Sequence, residues 1–172
     1  MKKIFVTILL STIVTFALKV GELPKEVIIT GENGSCVNGT EWKSTMLKDK
    51  IYVLFYVDPD KKSDSDIFIK TLETKKYDNT KFSSVAILNL KATWLPNFAI
   101  EKKLEAQQEK LPNTLYVKDK TKYLVKEWAL ADDSVNIVLF NKDGKVIYYH
   151  VGLMTDDEIK KVFLLIEENI AS

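Results

Sequence analysis

Seven consecutive apolar residues, Ile51 to Val57, constrain the fold of this 172-residue chain more than any other feature. The run (IYVLFYV) has the length of a β-strand and lacks the polar alternation of a strand with one face in water. A strand that is apolar on both faces usually lies inside a sheet and is covered by helices on each side. The run therefore predicts an α/β fold with a central strand at 51–57.

The rest of the chain alternates strand-like and helix-like segments. The predicted strands are 27–29, 82–90, 114–117, 135–140 and 145–149, and the predicted helices follow Ser63, Pro96, Leu124 and Thr155. Asp143 and Gly144 indicate a tight hairpin between the last two strands, because glycine supplies the positive φ of such a turn. Alternating strands and helices form parallel pairs, and a hairpin adds an antiparallel pair. We therefore predict a central mixed β-sheet with helices on both faces.

Three local details are also expected. The stretch from Gly31 to Gly39 is rich in glycine and asparagine, which predicts turns. The hydroxyl and carboxylate groups of Ser63 to Asp66 suit the start of a helix, whose apolar face would include Ile67 with Phe68 beside it. Thr155 and Glu158 have the spacing of a capping box at the start of the last helix.

Several short segments carry a family resemblance through their order and spacing. They are Trp42 followed by Leu47–Lys50, Ile87–Ala92, Trp128–Leu130 before Asp132–Ser134, and the hairpin followed by Gly152 and Leu153. Together they resemble the YtfJ family of small exported bacterial proteins, which have a thioredoxin-like fold and no established activity. The resemblance spans about Val20 to Ile166 and implies one thioredoxin-like domain. The family's Ala-Gly-Arg loop reads Val57-Asp58-Pro59 here, so no anion-binding role of that Arg is carried over.

The N-terminus has the pattern of a secretory signal. Lys2 and Lys3 precede an uncharged apolar stretch that ends at Ala17, which is a tolerable cleavage site. We expect residues 1–17 to be a signal peptide, residues 18–172 to be a single domain, and the mature protein to be periplasmic without a stable membrane anchor. The alternative is an uncleaved anchor, although about 20 apolar residues are needed to span a bilayer.

Composition excludes several classes of function. The 25 basic residues are all lysines and are balanced by 24 acidic residues, which disfavours a nucleic-acid-binding protein. One histidine and one cysteine cannot build the usual three- or four-ligand zinc site. A single cysteine also excludes an intrachain disulfide or a CxxC pair. We expect no metal site and no cofactor.

Thiol chemistry is disfavoured at the position where the resemblance would place it. The loop from Asp58 to Ser63 contains no cysteine, and Val135 stands where the resemblance would place a cis-proline. Cys36 lies far from that loop in sequence. It is either an incidental, partly buried thiol or the source of an intermolecular disulfide.

Four carboxylates, Asp58, Asp60, Asp64 and Asp66, alternate in a way that suggests a calcium loop. The pattern fails as an EF-hand, because the third ligand would be Lys62 and the closing glutamate would be Ile69. The preferred interpretation is a helix start with solvated loop charges.

A second polar group suggests a hydrolytic triad. If His150 lies opposite Val135 in the hairpin, it approaches Ser134 and Asp133, which with Asp132 form a polar loop. The alternative interpretation is a histidine at a strand end beside a solvated loop. A nucleophile elbow and oxyanion donors are not visible in the sequence.

Exposed aromatic residues can anchor a protein partner, and Trp42, Trp94, Tyr148 and Tyr149 are candidates for either that role or core packing.

Our interpretation is a thioredoxin-fold binding or accessory protein without dithiol chemistry, whose partner is an unknown periplasmic protein or small ligand. Its expected face comprises the residues Asp58, Asp60, Ser63, Asp132, Asp133, Ser134, Val135 and His150, because ligands of open α/β sheets bind at the carboxyl ends of strands. The rival hypothesis is an enzyme that uses Asp133, Ser134 and His150 there.

Overall fold

The computed structural model describes residues 17–172, and its centre is a six-stranded β-sheet. The strands are β1 (Ile28–Ile29), β2 (Gly34–Cys36), β3 (Trp42–Lys43), β4 (Ile51–Val57), β5 (Phe82–Asn89), β6 (Thr114–Asp119), β7 (Val135–Phe140) and β8 (Val146–Val151). The α-helices are α1 (Asp66–Lys75), α2 (Asn97–Lys110), α3 (Tyr123–Trp128) and α4 (Asp156–Ala171). The sheet order is β2-β6-β5-β4-β7-β8, with β5 parallel to β4 and β6 and the other neighbours antiparallel. The predicted α/β fold with a mixed sheet is confirmed.

Strand β4 occupies the middle of the sheet, as its apolar run predicts. It pairs along its whole length with β5, from Ile51 opposite Phe82 to Val57 opposite Leu88, and also with β7. Its side chains are buried except for Tyr52, which is half-buried. Helices on both sheet faces exclude water from this strand, which removes the need for polar alternation.

Helices cover both faces of the sheet, which confirms the layered arrangement. On one face, α3 packs Leu124 and Trp128 against Leu54 and Tyr56 of β4. On the other face, α1, α2 and α4 lie over the odd-numbered side chains of β4 and β7 and the even-numbered ones of β5. Successive side chains of a strand point to opposite faces of the sheet, so the odd or even numbers of the residues that a helix contacts show which face it covers.

The stretch from Gly31 to Gly39 differs from its prediction as turns, because it contains the edge strand β2. Gly34 lies opposite Asp119 with a φ of +134°, and a Cβ there would sit 1.8 Å from the carbonyl oxygen of Lys118. Only glycine allows this close approach. The strand forms because β6 offers unpaired backbone groups, and a local turn pattern cannot reveal such a long-range partner.

The start of α1 also differs from expectation. Ile67 is 53% exposed, and Phe68 is the residue that enters the core. The Ser65 hydroxyl donates to the carbonyl of Lys62 within a short 3-10 turn, Lys62–Ser65, and among the described residues it makes no cap hydrogen bond to the helix.

The predicted signal peptide falls almost wholly on residues 1–16, which lie outside the described residues. Within residues 17–172, no helix has the length and apolar character required to cross a bilayer.

Candidate functional site

The loops at the carboxyl ends of β4, β5 and β6 meet the start of β7 and the end of β8 at one edge of the sheet. We call this surface the loop face and define it as residues 58–63, 89–98, 119–122, 129–135 and 150–154. All the site residues predicted from the sequence belong to these segments. The contacts within the loop face show which of them come together.

Asp58 ends the central strand and is almost fully buried, with 3% of its surface exposed. Its backbone N–H donates to the carbonyl of Ser134 at 3.0 Å, and its carboxylate accepts from the N–H of Asp60 at 2.8 Å. Burial raises the pKa of the Asp58 carboxyl, and the negative charges of Asp60 and Asp133 raise it further. The hydrogen bond from the Asp60 N–H lowers this pKa but does not cancel the increase. Asp58 therefore joins the β4 loop to the loop before β7.

Asp60 connects the β4 loop to the loop after β5. Its carboxylate accepts a 3.0 Å hydrogen bond from the Thr93 hydroxyl, which itself accepts from the N–H of Leu95. Between these two residues Trp94 projects into solvent and is 84% exposed. Phe98, at the start of α2, is 69% exposed. The loop is thus anchored while two large aromatic side chains remain uncovered.

Asp132 lies between two partners from different elements. It forms an ion pair with Lys122 and accepts a 3.0 Å hydrogen bond from the side-chain amide of Asn89. Burial opposes ionisation of Asp132, but the hydrogen bonds from Lys122, Asn89 and the Asp133 N–H prevail and lower the pKa of its carboxyl. The bond to Asp132 raises the pKa of the Lys122 ammonium, despite a small opposing effect of burial. This carboxylate is ionised and paired at neutral pH.

The backbone around this ion pair adopts left-handed conformations that non-glycine residues rarely occupy. Lys122 has a φ of +56°, Ala129 +51° and Asp133 +52°. The Lys122 ammonium lies 4.0 Å from Asp133 as well as against Asp132. Such conformations persist where surrounding contacts hold them, and the Lys122 pairs supply contacts of this kind.

A buried carboxylate, Asp119, supports the loop face from below. It is fully buried and accepts from the hydroxyl of Tyr56 at 3.1 Å and from the backbone N–H groups of Thr121, Tyr123 and Leu124. Burial and the charge of Asp119 raise the pKa of Tyr56, which therefore remains a hydrogen-bond donor. Asp119 thus fixes the start of α3 next to the end of β6.

Asn136 performs a similar task for the loop before β7. It is fully buried, and its side chain exchanges hydrogen bonds with both backbone groups of Ala131 at 2.9 and 2.8 Å. The side-chain amide oxygen of Asn136, which accepts from the Ala131 N–H, also accepts from the Tyr149 hydroxyl at 2.9 Å. These bonds hold the segment that carries Asp132, Asp133 and Ser134.

The expected position of His150 is wrong, and the triad hypothesis loses its geometric basis. His150 lies opposite Ile137 rather than Val135. Its ring nitrogens lie 3.2 Å from the carbonyl oxygen of Leu153 and 3.6 Å from the carboxylate of Glu158. Among the described residues no hydrogen bond joins His150 to Ser134 or Asp133. The turn pairs Phe140 with Val146 rather than with Lys145, and the bulge between Leu139 and Phe140 adds a second residue to the shift.

Three other predicted residues contribute in different ways. Ser63 is exposed in the turn before α1. Val135 is fully buried, so only its backbone reaches the loop face, where its carbonyl accepts from Gly152 at 2.7 Å. The Ser134 hydroxyl is directed to the carbonyl of Val135 at 3.5 Å, a weak contact. Across the described part of the chain, no group of three or more His, Cys, Asp or Glu residues is placed to hold a metal ion.

Cys36 lies away from the loop face. It sits on edge strand β2, three strands from β4, which corresponds to about 14 Å at the usual strand spacing. The thiol is buried and contacts the carbonyl of Glu41 at 3.7 Å, and burial raises its pKa. A buried thiol with a raised pKa is a poor nucleophile.

Comparison with known proteins identifies the family. The profile of the family described as "Bacterial protein of unknown function (YtfJ_HI0045)" matches residues 22–169. The chain belongs to the YtfJ family. It is 22% identical over 131 residues to the uncharacterized protein YtfJ of Escherichia coli strain K12, covering 74% of this chain and 71% of that protein. The predicted family resemblance is confirmed.

Solved structures confirm the thioredoxin-like fold of this YtfJ-family protein. A proposed protein disulfide isomerase of Bacteroides thetaiotaomicron superposes with a TM-score of 0.64 at 18% identity, covering 92% of this chain and 95% of the other. The exposed lipoprotein thioredoxin of Streptococcus pneumoniae superposes with a TM-score of 0.60 at 14% identity, covering 83% and 98%. At these identities the likeness concerns the fold alone.

Sequence reasoning missed four residues that organise the loop face of this family member. They are Asn89, Asp119, Lys122 and Asn136. A usable signal was present for two of them, since Asn136 interrupts an apolar strand and Asp119 ends one. A polar residue in such a position needs a partner when buried. Lys122 carried no signal, because it is one of many lysines in a charged stretch.

Proposed function

We propose that this YtfJ-family protein is an exported, periplasmic binding or accessory protein that works without dithiol exchange. It takes a partner protein on the loop face. The observation that carries the proposal is the exposure of large apolar side chains on both sides of a hydrogen-bonded, charged centre. Exposed apolar groups rimmed by polar ones are typical of interaction sites.

The apolar groups come from two separate loops. Trp94 and Phe98 lie on the side of β5 and α2, and Leu153, which is 64% exposed, follows β8 on the other side. Tryptophan is enriched among the residues that contribute most to binding at protein interfaces. The loop that carries Trp94 is anchored by the bond from Thr93 to Asp60, so little ordering is required on binding.

Two exposed carboxylates of the loop face, those of Asp60 and Asp133, favour a partner with basic groups at these positions. Asp60 is exposed, and the side chain of Asp133 is 72% exposed. Lys122, the nearest lysine to Asp133, is already paired with Asp132. An apolar segment of the partner flanked by lysine or arginine would complement this surface.

The residues that dithiol chemistry requires are missing from the loop face. No thiol follows β4, and the single Cys36 has no second cysteine to resolve a mixed disulfide. The separation of His150 from Ser134 and Asp133 supports binding rather than hydrolysis. The predicted signal peptide supports export to the periplasm.

Site-specific photo-crosslinking in living cells tests the binding proposal. We expect a benzoylphenylalanine residue at position 94 to give a defined protein adduct in the periplasmic fraction. The matched control is the same group at Leu164, which is 58% exposed on α4. Asp60→Asn combined with Asp133→Asn should reduce the adduct severalfold. Equal adducts at both positions, or none, would exclude the loop face as the binding surface.

A thiol assay tests the second half of the proposal. The protein should reduce insulin disulfides no faster than its Cys36→Ser variant. Turnover that depends on Cys36 would contradict it.

A further inference from the structure

A large cleft lies between α1 and α2 over the outer part of the sheet, and it meets the loop face at Pro59, Lys62 and Leu95. Its volume is about 790 Å³. Sites for small organic ligands usually measure about 300–1,000 Å³. The floor is formed by β5 and β6, and the walls are formed by the two helices.

The cleft is open because the sheet beneath it carries small side chains. Ser84 and Ala86 of β5 and Thr114 of β6 form the middle of the floor. The wall from α1 contributes Ile69 and Leu72, and the wall from α2 contributes Ile100 and Leu104. The apolar residues on the two walls belong to separate clusters.

Polar groups at the floor are satisfied within the protein. The hydroxyls of Ser84 and Thr114 are 2.7 Å apart and bond to each other. Gln108 donates to the carbonyl of Thr114 at 2.8 Å and accepts from the N–H of Tyr116 at 3.1 Å. With these bonds made, the floor around Ser84 requires no further polar partner and suits an apolar chain. The Tyr116 hydroxyl and the Glu73 carboxylate remain as polar groups of the cleft, and burial together with the Glu73 charge raises the pKa of Tyr116.

The rim of the cleft is predominantly basic. Four lysines line it, against two carboxylates, Asp66 and Glu73; the lysines are Lys62, Lys76, Lys103 and Lys110. Within the described part of the chain, the ammonium groups of these four lysines form no ion pair. Lys76 caps the end of α1 and Lys110 lies in the last turn of α2, so both stand at the mouth where the two helices end. Each helix C-terminus carries a partial negative charge of about half a unit, which the two ammonium groups outweigh.

We propose that this cleft binds a single-chain anionic amphiphile. The acyl chain lies along Ser84 and Ala86 between the two helices, and Lys76 and Lys110 hold the anionic head group. Charge complementarity and the apolar floor select this ligand class over neutral lipids and over small hydrophilic anions. The cleft shares Pro59, Lys62 and Leu95 with the loop face, but the four residues that carry the proposal lie outside it, so variants at those residues test the cleft independently.

Fluorescence titration tests the proposal on protein purified after export of the full-length chain. The probe is dansyl-labelled undecanoic acid, which should bind saturably with an enhanced emission. Dodecanoate or lauroyl-lysophosphatidylglycerol should displace it, and the more effective of the two identifies the head group as carboxylate or phosphate. Dodecanol should displace it poorly. Absence of saturable binding, or displacement by dodecanol as effective as by the anions, would overturn the proposal.

Variants separate the cleft from non-specific adsorption. Lys76→Ala with Lys110→Ala should weaken probe binding about tenfold, because both anion contacts are lost. The matched control, Lys70→Ala with Lys102→Ala, removes two exposed charges from the same helices outside the cleft and should change affinity by less than about twofold. Ala86→Phe should abolish binding by filling the floor. Equal losses in the two double variants would overturn the assignment.

Discussion

Helices α4 and α2 cover the same face of the sheet but are held in different ways. Helix α4 begins with a capping box and buries four apolar side chains, among them Phe163, which stacks on Phe68 of α1 at 5.1 Å. Helix α2 begins at Pro96 without a side-chain cap from the described residues and buries two, Ile100 and Leu104. On one half of this face the helices close over the sheet, and on the other they leave the cleft.

The difference teaches that one layer of helices serves two purposes. Large side chains between α1, α4 and β4 exclude water and stabilise the domain, since each buried aromatic contributes through area and close packing. Small floor residues under α2 forgo that stabilisation. The open half is therefore where a ligand can bind without displacing core side chains.

The largest expected effect is in the closed half. Phe163→Ala should lower the free energy of unfolding by about 3–5 kcal/mol, because it removes the stack on Phe68 and leaves a cavity that its neighbours cannot fill. Urea denaturation followed by circular dichroism gives the value. A loss below about 1.5 kcal/mol would mean that the closed half is loosely packed.

A smaller loss is expected for an equally buried residue in the open half. Leu104 is 4% exposed, as is Phe163, but one side of its surroundings opens to the cleft. Leu104→Ala should cost about 2 kcal/mol, the low end of the range for such changes, because solvent and neighbouring side chains can occupy the space. A cost near 5 kcal/mol would show that α2 is packed as tightly as α4.

Adding atoms sharpens the same comparison. Val162→Leu in the closed half should destabilise by about 1–3 kcal/mol through overpacking, since Val162 is fully buried. Ala86→Val at the cleft floor should change stability by less than about 1 kcal/mol, because Ala86, although only 9% exposed, borders the cleft, which gives the new methyl groups room. Equal costs for both variants, measured by the same denaturation, would remove the distinction between the halves.

The sequence predicts the closed half well and the cleft not at all. The run at 51–57 and the periodic apolar residues of α4 identify a central strand and its covering helix, because each buried position is occupied by an apolar residue that the sequence shows. A cleft has no comparable residue pattern in the sequence. Ser84 and Ala86 are ordinary strand residues until the positions of two helices are known.

The loop face was predicted in part for a related reason. Strand order places Asp58, Asp60 and the 132–134 loop at one edge, which topology alone implies. The pairing of Lys122 with Asp132 and the bulge that moves His150 depend on side-chain geometry and register. Neither is encoded in a local pattern, so the position of the loop face could be predicted while its internal contacts could not.

The last comparison concerns how the two helices begin. Thr155→Ala should cost about 1 kcal/mol at pH 7, because the Thr155 hydroxyl accepts from the N–H of Glu158 and donates to its carboxylate at 2.7 Å. The backbone N–H and hydroxyl of Thr155 lower the pKa of Glu158, with small contributions from nearby His150 and Lys161. A carboxyl whose pKa is lower in the folded state than in the unfolded state stabilises the fold at pH values above its unfolded pKa, which is about 4.3 for glutamate. This stabilisation is lost as the pH falls through the folded-state pKa. The cost of Thr155→Ala should therefore shrink between pH 7 and pH 3.

Asn97→Ala, at the start of α2, is the control and should stay within about 0.5 kcal/mol at both pH values. A pH-independent cost at Thr155 would assign the whole effect to the bond from the Glu158 N–H, and the capping box would then act through its backbone half alone.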